Sequence, residues 1–396
     1  MKQRVLRVAV IGGGIGGLTT ALALRRARID VRVFEQAKKF TEVGAGVALG
    51  PNAVRLLGRL GLGQGLDAIA SRPSAYQRRR WHDGNILADS SRSGVLGGRM
   101  SLTVHRAQLL DLLLRGITDE SLRPGRRCTA AEQRGDTVRL TFEDGSTETA
   151  DVAVGADGIH SVVRATFQQD TPIFSGKIAY RGLIPMERLP FLGEDRHIHR
   201  MWLGPGQHFL TYPIAAGTVM NVVAFVPADG TWAVESWSAP GEVLRLAEHF
   251  DGWEPTVLGI IRALDRTMRW GLYDREPLPK WSAGRITLLG DAAHPMLPHQ
   301  GQGAGQSVED AIVLARCLER AEPDTVPDWL RLYERIRRER TERVQRASRL
   351  SGEIYDLTDP EEQERRAAST LQTKGAWLWN YDADEEFDKA AAEMGR

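Results

Sequence analysis

The chain of 396 residues has only two cysteines, Cys128 and Cys317. No disulfide framework can brace it, and a reducing, cytoplasmic setting is the expectation. It also lacks a charge bias: 52 Lys and Arg stand against 51 Asp and Glu, a net charge of +1. A dedicated nucleic-acid binder carries a basic footprint that this balance does not supply. The arginine-rich stretch from Arg331 to Arg349 is interrupted by Glu334, Glu339 and Glu342, the pattern of a solvated helix face. Long uncharged runs are scarce. The run from Val8 to Leu24 is short for a membrane span, and Gly12, Gly13, Gly14, Gly16 and Gly17 inside it would badly weaken a hydrophobic helix. It reads neither as a secretory signal nor as an anchor, so no membrane association is expected. No internal repeat and no low-complexity segment is visible.

Glycine is what the chain has in abundance, 41 residues in a length that allows two to three domains of roughly 150 residues. Their placement carries the information. Val5 to Ile11 is a strand-like apolar run, Ile15 to Arg28 has helical spacing, and Val31 to Phe34 reads as a second strand closed by Glu35. Between the first strand and the helix lies Gly12-x-Gly14-x-x-Gly17. Such glycines permit a tight turn and let backbone N–H groups approach a pyrophosphate at the helix N-terminus, while an acid at the second strand end can accept from a ribose hydroxyl. The acid favours an unphosphorylated ribose, as in FAD or NAD. Gly61-x-Gly63-x-Gly65 imitates a second fingerprint, but Leu66 stands where the last glycine belongs and the segment reads as a loop. A single dinucleotide site points to a tightly bound cofactor.

Two later clusters follow apolar strands: Gly155-Ala-Asp157-Gly158 and Gly290-Asp291-Ala-Ala-His294-Pro295. A carboxylate beside a strand-end glycine can bind ribityl or ribose hydroxyls. The run Pro298 to Ala304 precedes a long helix, Ala304 to Ala321, whose N-terminus could stabilise negative charge on a reduced flavin ring. Elsewhere the pattern predicts helices over Pro51–Leu60, Arg106–Leu114, Gly241–Phe250, Glu254–Leu264 and Pro327–Gly352. Strands are expected at Ser101–Val104, His197–Leu203, His208–Ile214, Thr218–Val226 and Arg285–Leu289. Val138–Phe142 and Thr147–Val154 bracket Asp144-Gly145, a hairpin signal.

With these three clusters in order, together with Gly44-Ala-Gly46-Val-Ala-Leu-Gly-Pro51-Asn52, His105-Arg106 and Glu309-Asp310-Ala311, the sequence resembles the single-component, class A flavoprotein aromatic hydroxylases of the para-hydroxybenzoate hydroxylase fold. The resemblance covers nearly the whole length. Within that family, Pro298-His299-Gln300-Gly301, Gly303-Ala-Gly-Gln306 and Asn221 to Phe225 are most similar to salicylate 1-hydroxylases, with related members acting on 3-hydroxybenzoate and 6-hydroxynicotinate.

The resemblance implies an α/β fold. A Rossmann-like FAD-binding domain would be assembled from residues 1–73, 98–173 and 275–355. A mostly antiparallel substrate-binding sheet from 74–97 and 174–274 would be inserted in it, and 356–396 would form a C-terminal helical arm. It implies FAD held by Gly12, Gly14, Gly17 and Val47, with Glu35 on the adenosine ribose and Arg106 on the pyrophosphate side. Asp291 would lie near the ribityl chain, and Gly303 and Ala304 would offer N–H groups to the flavin ring. Asp157-Gly158 would serve both FAD and a transient NADH or NADPH. In such enzymes NAD(P)H reduces the flavin, O₂ adds to give a C4a-hydroperoxide, and its terminal oxygen is transferred to an electron-rich ring.

His208 and Tyr212, four apart on one strand, share a face. On the resemblance, His208 is the base or phenol-orienting residue, Tyr212 a hydrogen bonder in the substrate pocket, and His299 the rival base or a carboxylate partner. His294 reads as structural. His197 and His199 have metal-pair spacing but no accompanying ligands and read as solvated, so no metal is expected. For a substrate carboxylate, Arg181 and Arg79 are both open by position. The first expectation is salicylate converted to catechol with loss of CO₂. A hydroxylase of a larger natural-product phenol or quinone, or a flavin-binding protein without turnover, stands as the alternative. The assembly expected is a monomer or homodimer.

Overall fold

The computed structural model describes residues 5–40, 45–90, 101–228, 239–373 and 375–394. Elements are numbered in chain order. A six-stranded sheet takes the order β18 (Ser282–Ala283), β19 (Ile286–Leu288), β11 (Val152–Gly155), β1 (Arg7–Ile11), β2 (Asp30–Glu35), β7 (Leu122–Pro124). All its pairings are parallel except β18 with β19. Its central strands are apolar on both faces, as a sheet covered on both sides requires: Val8, Ala9, Val10 and Ile11 are buried, as are Val152, Ala153 and Val154. Register places Ile11 opposite both Phe34 and Gly155. Gly12, Glu35 and Ala156-Asp157 therefore leave the sheet together at its carboxyl edge, where open parallel sheets bind ligands. Helix α1 (Ile15–Arg26) starts directly from that edge.

An eight-stranded sheet takes the order β16 (Ala239–Gly241), β17 (Thr267–Asp274), β12 (Ile173–Pro185), β15 (Val219–Pro227), β14 (Gln207–Ile214), β13 (His199–Gly204), β4 (Tyr76–Arg80), β5 (Ile86–Asp89). It is antiparallel throughout except for β13 beside β4. On one face Trp202, Phe209, Phe250, Trp253, Val257 and Ile260 form a core with the short helices Val243–His249 and Pro255–Arg262. A fully buried apolar side chain of this size contributes about 1.5–3 kcal/mol. The other face turns toward the first sheet: Ala179, Val223, Phe225, Trp270 and Leu272 cluster there with Leu297. Smaller pieces are the pair β3 (Gly46–Leu49) and β6 (Leu102–His105), and the hairpin sheet β8 (Cys128–Arg134), β9 (Thr137–Phe142), β10 (Thr147–Ala150).

Three expected elements differ in the structure, and the Arg331–Arg349 stretch is not wholly a solvated face, since Arg337 and Arg340 are buried. Gly61 to Gly65 is not a loop: Pro51–Leu57, the π-helical turn Gly58–Leu62 and Gly63–Ile69 run on as helix. Gly61 takes a left-handed φ of 72° within that run, and buried Leu56, Leu57, Leu60, Leu62 and Leu66 hold it down. The expected strand from Thr147 to Val154 divides: Thr147–Ala150 stays in the hairpin and Val152–Gly155 joins the parallel sheet. Asp151 marks the division, accepting from the Arg7 backbone N–H at 2.9 Å and its guanidinium at 3.0 Å. Finally, the long helix Val326–Tyr355 is followed by helices Pro360–Thr373, Gly375–Trp379 and Ala383–Glu393. That last segment is less peripheral than expected, since Ala383, Phe387 and Ala391 are buried and Arg59 binds Asp382 and Asp384.

Candidate active site

One wall of the cleft is the carboxyl edge of the parallel sheet. Gly12 has a φ of 109°, and a Cβ there would overlap the Ala156 carbonyl oxygen; a Cβ on Gly17 would overlap the Gly12 carbonyl. The turn is thus packed too tightly for any side chain at either position. At Gly14, by contrast, a Cβ would meet nothing within 4 Å, and α1 begins there with no side-chain cap and no acid in its first turn. Its N–H groups are free to receive an anion. Glu35 reaches across the turn, accepting from Gly13 N–H and Ala37 N–H, each at 2.7 Å. Asp157 folds inward onto its own loop: it accepts from Ser161 and from Val162 N–H at 2.8 Å, and burial pushes its carboxyl up.

Farther along this wall, Asp291 is open to water yet burial raises its carboxyl, with His294 and Arg106 opposing. An accessible acid enclosed by protein on its flanks lies in a crevice. Gly303 stands beside it and begins the helix Gly303–Glu319, again without a side-chain cap or an acid in the first turn. The crevice rests on buried charge. Arg337 binds Glu309 at 2.7 Å and Asp310 at 2.8 Å; Asp310 also meets His294 Nε2 at 2.6 Å and accepts from Gly290 N–H at 3.0 Å. Burial alone would raise the Asp310 carboxyl, but His294 and Arg337 outweigh it and hold it below the ordinary range. His294 and Asp310 thus fix the turn that carries Asp291. Arg106 begins the helix Arg106–Leu114, and its N–H donates to Ala45 at 2.9 Å. Val47 is half-buried opposite Val104, while Gly44 lies outside the described residues.

The facing wall is one side of the antiparallel sheet, where cross-strand pairing sets three rows. The first runs Tyr76, His199, Tyr212, Asn221, Leu183; the second Arg78, Met201, Leu210, Val223, Arg181; the third Leu203, His208, Phe225, Ala179, Trp270. Directly paired residues share a face. Among the buried polar atoms on this wall with no hydrogen-bond partner among the described residues are Arg181 Nε, His208 Nε2 and Asn221 Nδ2. Unsatisfied buried polar atoms are costly and mark a place where a ligand completes the bonding.

Each has a distinct setting. The Arg181 guanidinium lies 4.1 Å over the Trp270 ring, and burial lowers it to about 10, with Arg106 adding repulsion. His208 is fully buried, stacked on Phe225 at 4.3 Å, with Nδ1 3.1 Å from Asp356 Oδ1. Burial pushes its imidazole below the ordinary range, although Asp356 opposes this. Asn221 Oδ1 accepts from Gly46 N–H at 2.8 Å and so ties the two walls together. A Cβ on Gly46 would lie 2.6 Å from both Asn221 and Tyr212, so only glycine lets β3 approach this closely.

His208 and His299 are brought together, with ring centroids 5.4 Å apart and Phe225 5.4 Å from His299. Gly352 makes room for the His299 ring, which a Cβ would approach to 2.7 Å. Tyr212 lies at the other end of the same strand face, stacked on His199 at 5.3 Å, with its phenol raised to about 12 by burial. His199 is therefore half-buried rather than fully solvated: it sits between Tyr212 and Tyr76, the latter 4.6 Å away. No group of three metal-ligating side chains gathers among the described residues. Of the two candidate cations, Arg79 is engaged by Gln77 at 2.7 Å and Asp195 at 3.2 Å, while Arg181 faces the cleft. Asp356 was not anticipated: it follows the last turn of a long helix and carries no local signal.

Two uncapped helix N-termini, an accessible acid in a crevice and packed glycine turns suit a dinucleotide laid along the first wall. Residues 5–348 match the FAD binding domain family. The chain is 43% identical to a 3-amino-4-hydroxybenzoate 2-monooxygenase of Streptomyces platensis, over 95% of this chain and 96% of that protein. It is 37% identical to a salicylate hydroxylase of Pseudomonas putida, over 100% and 96%. A solved salicylate hydroxylase–substrate complex superposes with a TM-score of 0.85 at 33% identity, covering 98% of each chain. Among the described residues no helix is long and apolar enough to cross a membrane.

Proposed function

The chain belongs to the FAD binding domain family and is a flavoprotein monooxygenase, and from that premise we propose that it hydroxylates a phenolic aromatic acid bound between the two walls. The observation that carries this reading is the pair of unpartnered buried atoms on one sheet face, Arg181 Nε and His208 Nε2. Arg181 meets the substrate carboxylate with its planar fork. Neutral His208 accepts the phenolic proton, which enriches the ring for attack by an electrophilic oxygen. Tyr212 and Asn221 Nδ2 close the far end of the pocket, and His299 stands beside His208.

FAD, when bound, supplies reductive activation of O₂ with electrons from NADH or NADPH. The Gly12–Gly17 turn, Glu35, Arg106, Asp291 and the N–H groups of Gly303 and Ala304 would hold it. The substrate sheet packs its apolar residues Val223, Phe225 and Trp270 toward this site, which excludes bulk water. In this reading the nucleotide-binding part is assembled from three separated stretches, and the substrate sheet is inserted between them. Cys128 and Cys317 are buried and free, which suits a cytoplasmic setting.

Salicylate, decarboxylated to catechol, is the first candidate substrate. The relative at 43% identity favours a second, 3-amino-4-hydroxybenzoate hydroxylated at position 2, between its carboxylate and its amino group. Oxidation of NADH by the FAD-loaded protein, followed with each acid, with 3-hydroxybenzoate, with 6-hydroxynicotinate and with unsubstituted phenol, tests the proposal. Stimulation by a carboxylated phenol with stoichiometric hydroxylated product is expected. Failure of every hydroxyaromatic acid to stimulate oxidation overturns it, and parallel runs with NADPH fix the coenzyme, for which NADH is expected.

A further inference from the structure

The end of the long helix Val326–Tyr355 is pressed against the substrate sheet, and it delivers one carboxylate to a buried imidazole. Asp356 Oδ1 lies 3.1 Å from His208 Nδ1. Its other oxygen lies 3.2 Å from Lys177 Nζ, and that ammonium also donates to the Gly206 carbonyl at 2.6 Å. The His208 ring has little freedom: Phe225 stacks on it at 4.3 Å, Tyr355 meets it edge-on at 5.4 Å and His299 lies at 5.4 Å. Arg78, which also faces the ring, donates to the Tyr355 hydroxyl at 2.9 Å.

An ionised carboxylate only accepts hydrogen bonds. With Asp356 at Nδ1, the ring proton belongs on Nδ1 and the lone pair of Nε2 is left without a partner among the described residues. Burial alone would raise the Asp356 carboxyl, but His208, Lys177 and His299 outweigh it and keep it below the ordinary range.

We propose that Asp356 is a positioning residue that fixes His208 in the Nδ1–H tautomer and stabilises the imidazolium formed when Nε2 takes the phenolic proton, with Lys177 keeping Asp356 ionised. In that step the phenol O–H bond breaks and the Nε2–H bond forms. Asp356 gains no proton, and the proton returns to the aromatic product's oxygen. The inference rests on the reading of His208 as the proton acceptor.

Asp356→Asn in the FAD-loaded enzyme is expected to lower kcat about 10²-fold, with KM and flavin content within about twofold of the parent, and Asp356→Glu to restore most of the loss. The carboxylate raises the imidazole's proton affinity, so its removal moves the acid limb of the kcat–pH profile to lower pH. A fluorinated substrate already ionised at the assay pH needs no base and should lose far less than the parent phenol. Asp356→Asn within about threefold of the parent, or equal losses for ionised and protonated phenols, overturns the proposal.

A second measurement does not depend on turnover or on the Asp356 variants folding. In ¹⁵N-histidine-labelled holoenzyme, with the His208 signals identified by their absence in His208→Gln, Nδ1 should be protonated and Nε2 should not. The opposite tautomer overturns the inference. A parent enzyme that no hydroxyaromatic acid stimulates refutes the functional reading instead, and the tautomer still decides what Asp356 does.

Discussion

Along the parallel sheet the proposed FAD contacts lean on backbone, N–H donors at two uncapped helix starts reached through turns such as Gly12 and Gly17 that exclude any side chain, with Glu35, Arg106 and Asp291 beside them. Across the cleft they are side chains, held in rows by strand register and backed by aromatic rings at 4.1 Å for Arg181 and 4.3 Å for His208. The difference bears on how each wall fails. A wall made of backbone has no spare volume, so a single added Cβ disrupts the turn itself. A wall made of side chains can lose one group while its neighbours keep the fold, so its variants separate binding from folding.

Gly17→Val sharpens that contrast most. Its side chain must displace the Gly12 carbonyl, at a cost of about 3 kcal/mol or more from overpacking and backbone strain. Flavin content after purification should fall more than about tenfold and the urea midpoint should drop. A fully yellow, stable Gly17→Val protein would show that the turn does not bind as described. Arg181→Met, on the other wall, should keep its flavin and stability yet raise the KM of a carboxylated substrate about 10²-fold, the loss of a charge-assisted pair worth about 1.5–3 kcal/mol. Phenol without a carboxylate should lose at most about threefold, and Arg181→Lys should recover only part because an ammonium cannot form the planar fork. Equal losses for both substrates would remove Arg181 from carboxylate recognition.

Asn221 belongs to both walls, since its Oδ1 holds Gly46 N–H at 2.8 Å across the cleft. Asn221→Ala leaves that buried N–H unmet, so a stability loss of about 1–3 kcal/mol is expected, together with faster flavin release. If stability falls and flavin release is unchanged, β3 does not transmit the bond to the nucleotide wall.

The same division explains what the sequence disclosed. The glycine turns, Glu35 and the helix beginning at Gly303 are features of contiguous chain, legible because turn, strand end and helix start lie within a few residues. The α/β class and the short parallel strands follow from apolar runs that are equally local. The substrate wall depends on register between distant segments. Nothing near Arg181 announces that it pairs with Val223 and lies over Trp270, and nothing near Asp356 announces His208, 148 positions earlier. Gly61 to Gly65 misleads for the converse reason: local glycine signalled a loop, while buried leucines, invisible to a local reading, kept the helix going.

The smallest expected effect separates the walls by acid sensitivity. His208 is held below its ordinary value, chiefly by burial, so the unfolded chain takes up a proton more readily than the native one. Its contribution to stability is fully present above about pH 6.5 and is lost as pH falls through the folded value, with a slope of at most about 1.4 kcal/mol per pH unit for one proton. Asp310, on the nucleotide wall, is also held below its ordinary value, but its contribution is present above about pH 4 and fades only below that. Between pH 7.5 and 5.5 the substrate wall should therefore loosen while the Asp310 turn stays intact. His105 next to Arg106 is lowered by burial as well, so His105→Gln serves as the control for the other wall. Urea midpoints across that range should fall less steeply in His208→Gln than in the parent, and hydrogen exchange should quicken first in β14. Parallel slopes for the parent and His208→Gln would mean that the imidazole takes up its proton equally in the folded and unfolded chain and is not held neutral by burial; a parent that gains stability relative to His208→Gln as pH falls would mean that it is already charged at neutral pH, which would remove it as a proton acceptor.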